Sequence, residues 1–173
     1  MPDWVDPVAH YMFEQGLRGT LQLAAVSLLG ALVLGVLLGT LLTIRFRPVS
    51  WPIRMYIEMW RGLPIVVTIF IIFFALPAIS QALEFSPLTA AGIGLILWGS
   101  AQVAEATRGA VGSIPREQHE AAAALGFGWV GRHVFVILPQ ALRRVLPPVV
   151  GLAVNIIHNT TIAQVVAGKE LVQ

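Results

Sequence analysis

No cysteine occurs among the 173 residues. Disulfide scaffolds, thiolate metal sites and cysteine nucleophiles are therefore excluded. Charge is scarce: Asp, Glu, Lys and Arg make up 12% of the chain, against ~25% in a soluble domain. The net charge is only +2 and the basic residues form no run. Neither a disordered tail nor a nucleic-acid binder fits that pattern. No Gly-x-x-x-x-Gly-Lys-Ser/Thr loop is present, so the chain does not bind ATP in the usual way. His10, His119 and His133 are scattered, with no spacing that sets two of them beside a carboxylate, and no Ser-His-Asp constellation stands out. A metal site and an enzymatic role are not expected. What the chain has in abundance is apolar side chain: 57% of its residues, with a mean hydropathy of +0.79. That composition points to one polytopic membrane domain spanning 1–173.

Thr20 to Ile44 carries no charge. As a helix it rises about 37 Å at ~1.5 Å per residue, enough to cross a ~30 Å hydrocarbon core with tilt. Its length and its acidic flank argue for a retained helix and against a secretory signal. Gly62 to Leu83 and Phe85 to Ala104 are likewise uncharged. Val145 to Ile157 is clean but short for a span, and extending it through His158-Asn159-Thr160-Thr161 to Ala167 gives a crossing with a polar waist. The expected fold is all-α, a transmembrane helical bundle with spans at about 20–44, 62–83, 85–112 and 141–167. Gly35 and Gly39 form a Gly-x-x-x-Gly pair that permits close helix contact. Pro64, Pro77, Pro139, Pro147 and Pro148 lie in or near spans, as helix bends or as ordinary membrane proline.

Charge placement sets the orientation. Arg45, Arg47, Arg54 and Arg61 precede span 2, and Arg108, Arg116, Arg132, Arg143 and Arg144 fall on the segment 105–144, from the end of span 3 to the start of span 4. Both segments must face one side, and the positive-inside rule makes that side cytoplasmic. The N-terminal segment, with Asp3, Asp6 and Glu14, is then outside.

The stretch Ile114 to Trp129 is mixed and alanine-rich. Pro115 suits a helix start, Glu117 and Glu120 suit the positive end of the dipole, and Ala121 to Ala124 favour helix. Gly126 then stops the helix. The expected element is a short cytoplasmic helix over 115–126, too polar to cross. Its small side chains open its backbone to a partner, and alone it is marginal in water.

Glu120-Ala121-Ala122, Gly126 and Val136-Ile137-Leu138-Pro139, at that spacing, resemble the signature loop of ABC-importer permease subunits. Val136 stands where the family usually has Ile. The flanks Tyr56-x-Glu58-x-x-Arg61-Gly62-x-Pro64, Glu105-x-x-Arg108-Gly109, Ile114-Pro115-x-x-Gln118 and Leu138-Pro139-Gln140-Ala141-Leu142-Arg143 are similar to the polar amino acid uptake subfamily. The resemblance covers about 16–173. It implies the permease fold of the type I importer, usually with five spans, of which four are read here. It further implies a partner ATPase that binds the ATP, a second permease subunit and an extracytoplasmic binding protein, in the inner membrane of a prokaryote. Glu120, Ala121, Ala122, Gly126, Leu138 and Pro139 would couple to the ATPase, and the cargo would be a polar amino acid.

For the substrate pathway two groups stand out. Glu105 and Arg108 share a helical face, as an ion pair or as substrate contacts. His158, Asn159, Thr160 and Thr161 match a family stretch that often reads Lys-Asp/Asn-Thr-Ser, with His158 in place of Lys. They either line the path or make interhelical hydrogen bonds. The alternatives are a permease for a quaternary amine or organosulfur compound, or a passive membrane channel.

Overall fold

A computed structural model describes the backbone of residues 17–44 and 46–168, and the side chains of those residues other than Ala82 and 161–168. Asp3, Asp6, His10, Glu14 and Arg45 lie outside the described residues. The elements are α1 (Arg18–Leu41), α2 (Arg47–Gly62), α3 (Ile65–Phe70), α4 (Leu76–Ile79), α5 (Pro87–Gly112), α6 (Arg116–Ala124), α7 (Trp129–Arg132) and α8 (Leu138–Gly168). No strand occurs among the described residues.

Helix α5 is the centre. Ser86 caps it, its Oγ accepting from Thr89 N at 3.3 Å, and Pro87 fills the first turn, where a missing N–H costs nothing. Buried residues lie all around it, and α1, α3 and α8 pack on its different sides. Leu95 and Val103 meet Ala24 of α1 and Leu152 and Ile156 of α8 in one cluster. Near its C-terminal end, Ala110, Val111 and Ile114 meet Ile137, Ala141 and Val145 in a second.

Lipid tails are as apolar as leucine, so helices in a bilayer associate through close packing and not through hydrophobic exclusion. The α1–α5 seam follows from that. Ala24, Ser27, Ala31, Gly35 and Gly39 are buried at successive three- and four-residue steps of α1. A Cβ placed on Gly35 would lie 2.5 Å from Val103 Cβ and 2.7 Å from the Ser100 carbonyl oxygen. One on Gly39 would lie 2.7 Å from Thr107 Cβ. The opposite face of α1, with Val26, Leu29, Val33 and Leu37, is exposed and suits lipid or another helix.

Among the described residues, three helical stretches are long and apolar enough to cross a membrane: Arg18–Leu41, Pro87–Gly112 and Trp129–Thr160. A fourth exists if the bent pair Arg47–Gly62 and Ile65–Ile79 is one broken span. The uncharged run over 62–83 is thus not one continuous helix. Leu63 precedes proline and adopts an extended backbone (φ −91°, ψ 134°), as the Pro64 ring requires. The chain turns there by 109°. The segment 45–61, between the first two uncharged runs, is mostly the helix α2. The last span begins well before 141, because α7 and a π-helical turn lead straight into α8.

Two π-helical turns, Ile71–Ala75 and His133–Ile137, each precede a Leu-Pro pair: Leu76-Pro77 and Leu138-Pro139. In each, the leucine N–H reaches back five residues, to Ile71 O and to His133 O. A proline ring clashes with the carbonyl four residues earlier, and the wider turn moves that carbonyl aside while keeping the ladder bonded.

Gly35→Leu and Gly39→Leu should each destabilise the detergent-purified protein by about 1–3 kcal/mol through overpacking. Gly19→Leu, where a Cβ has no neighbour within 4 Å, should not. Thermal unfolding followed by circular dichroism checks this: equal melting temperatures for all three variants would refute the seam.

Candidate functional site

Two regions carry polar chemistry. The first is α6, held at one end of the bundle. Ala122 is buried, while Glu117, Glu120, Ala121, Ala123 and Ala124 are exposed. The helix thus presents an alanine-lined outer face and leans inward on one methyl. Leu125 caps it, Gly126 N donates to Ala123 O at 2.9 Å, and Phe127 N donates to Ala122 O at 3.1 Å. This pair of bonds is a Schellman motif, and it needs a left-handed residue next after the cap. Gly126 supplies it with φ +83°. The space around its missing Cβ is open, so backbone conformation and not crowding demands glycine here.

Side chains fasten α6 to the spans. Gln140 Nε2 of α8 donates to Gln118 Oε1 at 3.1 Å and to Val136 O at 2.9 Å. Arg144 Nη1 donates to the carbonyl of Ser113, in the turn before α6, at 2.7 Å, and to its hydroxyl at 2.6 Å. The two arginines that break the apolar pattern of the last span thus include one spent on anchoring this turn. Leu138 and Pro139 lie directly after the π turn, half-buried and exposed respectively, where α6 and α7 feed into α8.

His119 and His133, far apart in sequence, come together with ring centroids 6.1 Å apart. His133 is buried and stacks on Trp129 at 4.1 Å. Its Nδ1 donates to the Trp129 carbonyl at 2.8 Å, and its Nε2 lies 3.3 Å from Thr43 Oγ1 just beyond α1. Burial first, then the neighbouring His133 and then Arg132, hold the His119 pKa below the ordinary 6.5. Among the described residues no group of three or more metal-binding side chains forms.

The second region is a pocket of about 510 Å³ between α5 and α8. Trp98, Gln102 and Glu105 of α5, Asn155 of α8 and Arg61 at the end of α2 line it. Arg61 Nε donates to Gln102 Oε1 at 3.4 Å. Glu105 is held by Arg108, whose Nε and Nη2 donate to the two carboxylate oxygens, the first at 3.0 Å. The pair expected from sequence therefore forms, with Glu105 alone reaching the pocket. Tyr56 Oη meets Ser100 Oγ at 2.7 Å and fixes α2 against α5.

The structure does not bring His158, Asn159 or Thr160 into this pocket. His158 is exposed, Asn159 Nδ2 donates to the Asn155 carbonyl at 2.8 Å, and Thr160, fully buried, donates to the Ile157 carbonyl at 2.6 Å. The Thr161 side chain lies outside the described residues. Sequence reasoning missed Arg61, Gln102 and Asn155 as lining. The spacing 98, 102, 105 places three of the lining residues on one helical face and was the available signal.

Residues 31–172 match the family model described as binding-protein-dependent transport system inner membrane component. The chain is 38% identical to the glutamine transport system permease protein GlnP of Escherichia coli K12, over 98% of this chain and 78% of that protein. It is 35% identical to the probable amino-acid ABC transporter permease protein YckA of Bacillus subtilis, over 92% of this chain and 70% of that one. A crystal structure of an amino acid ABC transporter with histidines superposes with a TM-score of 0.78 at 26% identity, covering 96% of this chain and 77% of its own.

Two outcomes follow. Gly126→Val, which forces a β-branched residue into φ +83°, should cost the cap about 1–2 kcal/mol and abolish transport in vesicles while membrane insertion stays intact. Gly126→Asn should keep most of it, and full transport by the valine variant would count against the cap. For His119, the folded state favours the neutral ring, so the unfolded chain takes up the proton first. Its contribution is complete above about pH 6.5, the unfolded value, and is lost as pH falls through it toward the lower folded value. Thermal stability should decline on that acidification, and His119→Gln should flatten the decline. Identical pH profiles would dismiss the histidine contact.

Proposed function

The chain belongs to the binding-protein-dependent transport system inner membrane components, and from that premise we propose that it is the membrane-spanning subunit of an ATP-driven importer of polar amino acids. Hydrolysis belongs to a separate cytoplasmic ATPase, because this chain holds no phosphate-cradling loop. A second permease subunit completes the pathway, and an extracytoplasmic binding protein delivers the cargo. The observation that carries the reading is α6: a capped, alanine-faced helix outside the bundle, tied by Gln118 and by the Ser113 turn to α8. Such a helix receives a push on its exposed side and passes it to the spans as a rigid-body movement.

Orientation comes from the arginines. Arg54 of α2 lines one cleft with Arg108, Arg116 and Arg132, so both basic segments gather at the same end. That end is cytoplasmic by the positive-inside rule, and the N-terminal segment is outside.

The pocket between α5 and α8 is the proposed path. A zwitterionic amino acid needs a partner for each charge. Glu105 offers a carboxylate to an ammonium group, Arg61 a guanidinium to a carboxylate, and Gln102 and Asn155 offer amides to a polar side chain. Charged groups placed inside a span favour such a role. The names of the relatives, among them glutamine permeases, support this class of cargo.

With no native cysteine, single-cysteine labelling needs no cleared background. A cysteine at the exposed Ala121 or Ala123 should be cross-linked by a bismaleimide to the ATPase in transporting membranes. One at the buried Ala122 should react poorly. Failure at both exposed positions in membranes that still transport would overturn the coupling role. Glu105→Gln should raise the KM for amino acid uptake roughly ten- to a hundredfold, the loss of one charge-assisted hydrogen bond. An unchanged KM would remove Glu105 from the path.

A further inference from the structure

The cleft at the arginine-rich end has a volume of about 840 Å³. Its charged wall consists of Arg54, Arg108, Arg116, Arg132 and Glu120, with His119 beside them. Arg54 is shared with Glu58 at 3.9 Å, and Arg108 is held by Glu105. Among the described residues no carboxylate stands within ion-pair distance of Arg116 or Arg132. Arg132 Nε is buried without a hydrogen-bond partner, and a buried donor left unmet is costly. The cleft is therefore suited to an anion with several acceptor oxygens.

A second cavity opens beside it. It is an apolar groove of about 710 Å³ between α1 and the start of α8, with Val33, Leu37, Leu142 and Leu146 among its walls. Trp129 and His133 line both the groove and the cleft, so the two adjoin at this stacked pair. The groove runs from Leu32 to Leu41 along α1 and from Leu138 to Val149 along α8. At ~1.5 Å per residue this is roughly 14–17 Å, about half of a ~30 Å hydrocarbon core. It offers water almost no hydrogen bond and has the length of one leaflet. With the basic end on the cytoplasmic side as argued above, a groove of that length would bring its charged end to the headgroups, with the indole of Trp129 at the junction.

We propose that cleft and groove together bind one anionic phospholipid of the cytoplasmic leaflet. Its phosphate lies against Arg116 and Arg132, and one acyl chain fills the groove. Charge complementarity selects the anionic headgroup: a choline cation brought into the same cleft would face four guanidiniums. The groove separates a lipid from a free phosphate ion, which has no use for it. The bound lipid touches α1, α6, α7 and α8 at once, and so joins the outer helix to the bilayer. The site rests on the orientation given above.

The test reconstitutes the full chain in nanodiscs of equimolar phosphatidylcholine and phosphatidylglycerol and counts retained lipids by native mass spectrometry. The wild type should retain phosphatidylglycerol in preference. R116Q/R132Q should lose about tenfold of that preference, the loss of both guanidiniums placed against the phosphate. Leu37→Trp, at an exposed groove position that tolerates bulk, should lower retention of both lipids. It carries the test alone if the double variant does not fold. Equal retention of the two lipids by the wild type, or an unaltered preference in R116Q/R132Q, overturns the proposal. So does displacement of the bound phosphatidylglycerol by inorganic phosphate. A cysteine at the exposed Glu117, labelled in oriented vesicles, separates the premises. Labelling from outside overturns the orientation and the leaflet with it. Labelling from inside without lipid preference overturns the lipid site alone.

Discussion

The close approach of α1 to α5 is the constraint on which the rest of the molecule depends. In hydrocarbon, two helices gain little by hiding apolar surface from each other, so contact must come from backbone-to-backbone proximity. Gly35 and Gly39 provide it by exposing the chain to Ser100, Val103, Ala104 and Thr107 of α5. Because one face of α5 is filled this tightly, its other faces are free to hold α3 and α8 and to present Gln102 and Glu105 to a pocket. A looser seam would let α5 rotate, and the pocket would lose its register.

From that fixed post, force has one short route. The turn at Ser113 and the buried Ile114 end α5, α6 hangs below, and Gln140 and Arg144 of α8 reach back to hold both. A displacement of α6 therefore reaches two helices that flank the same pocket. The fastenings are mostly hydrogen bonds to neutral acceptors at the protein's edge, of modest net worth, which suits a part that must move between two arrangements.

Much of this was legible in the sequence where one local cause decides the outcome. Thr20–Ile44 contains α1 almost entire, because an uncharged run of that length has no other stable state in a bilayer. The bounds of α6 are those of its alanines and of Gly126, since a Schellman cap is a local event. The break at Leu63-Pro64 was harder, because Gly62 to Leu83 is uniformly apolar and hydropathy is blind to a bend. Arg143 and Arg144 cut the clean apolar run of the last span back to Val145, although Arg144 in fact turns aside to Ser113. For the site, Glu105 was visible as a lone carboxylate at the end of a span. Its companions Arg61 and Asn155 belong to other helices, and only the tertiary arrangement brings them together. The same holds for His119 and His133.

A π-helical turn amounts to an α-helix holding one surplus residue. Everything after His133–Ile137 is consequently rotated by about 100° from where an unbroken α-ladder would put it. That single surplus residue decides which stripe of α8 looks inward. With it, Val145, Leu152 and Ile156 meet α5 while Leu142, Leu146 and Val150 look away. Losing one residue anywhere in the turn would redirect the whole helix without altering one side chain of its stripe. The phase of the final span is thus stored in the chain's count of residues and not in its chemistry.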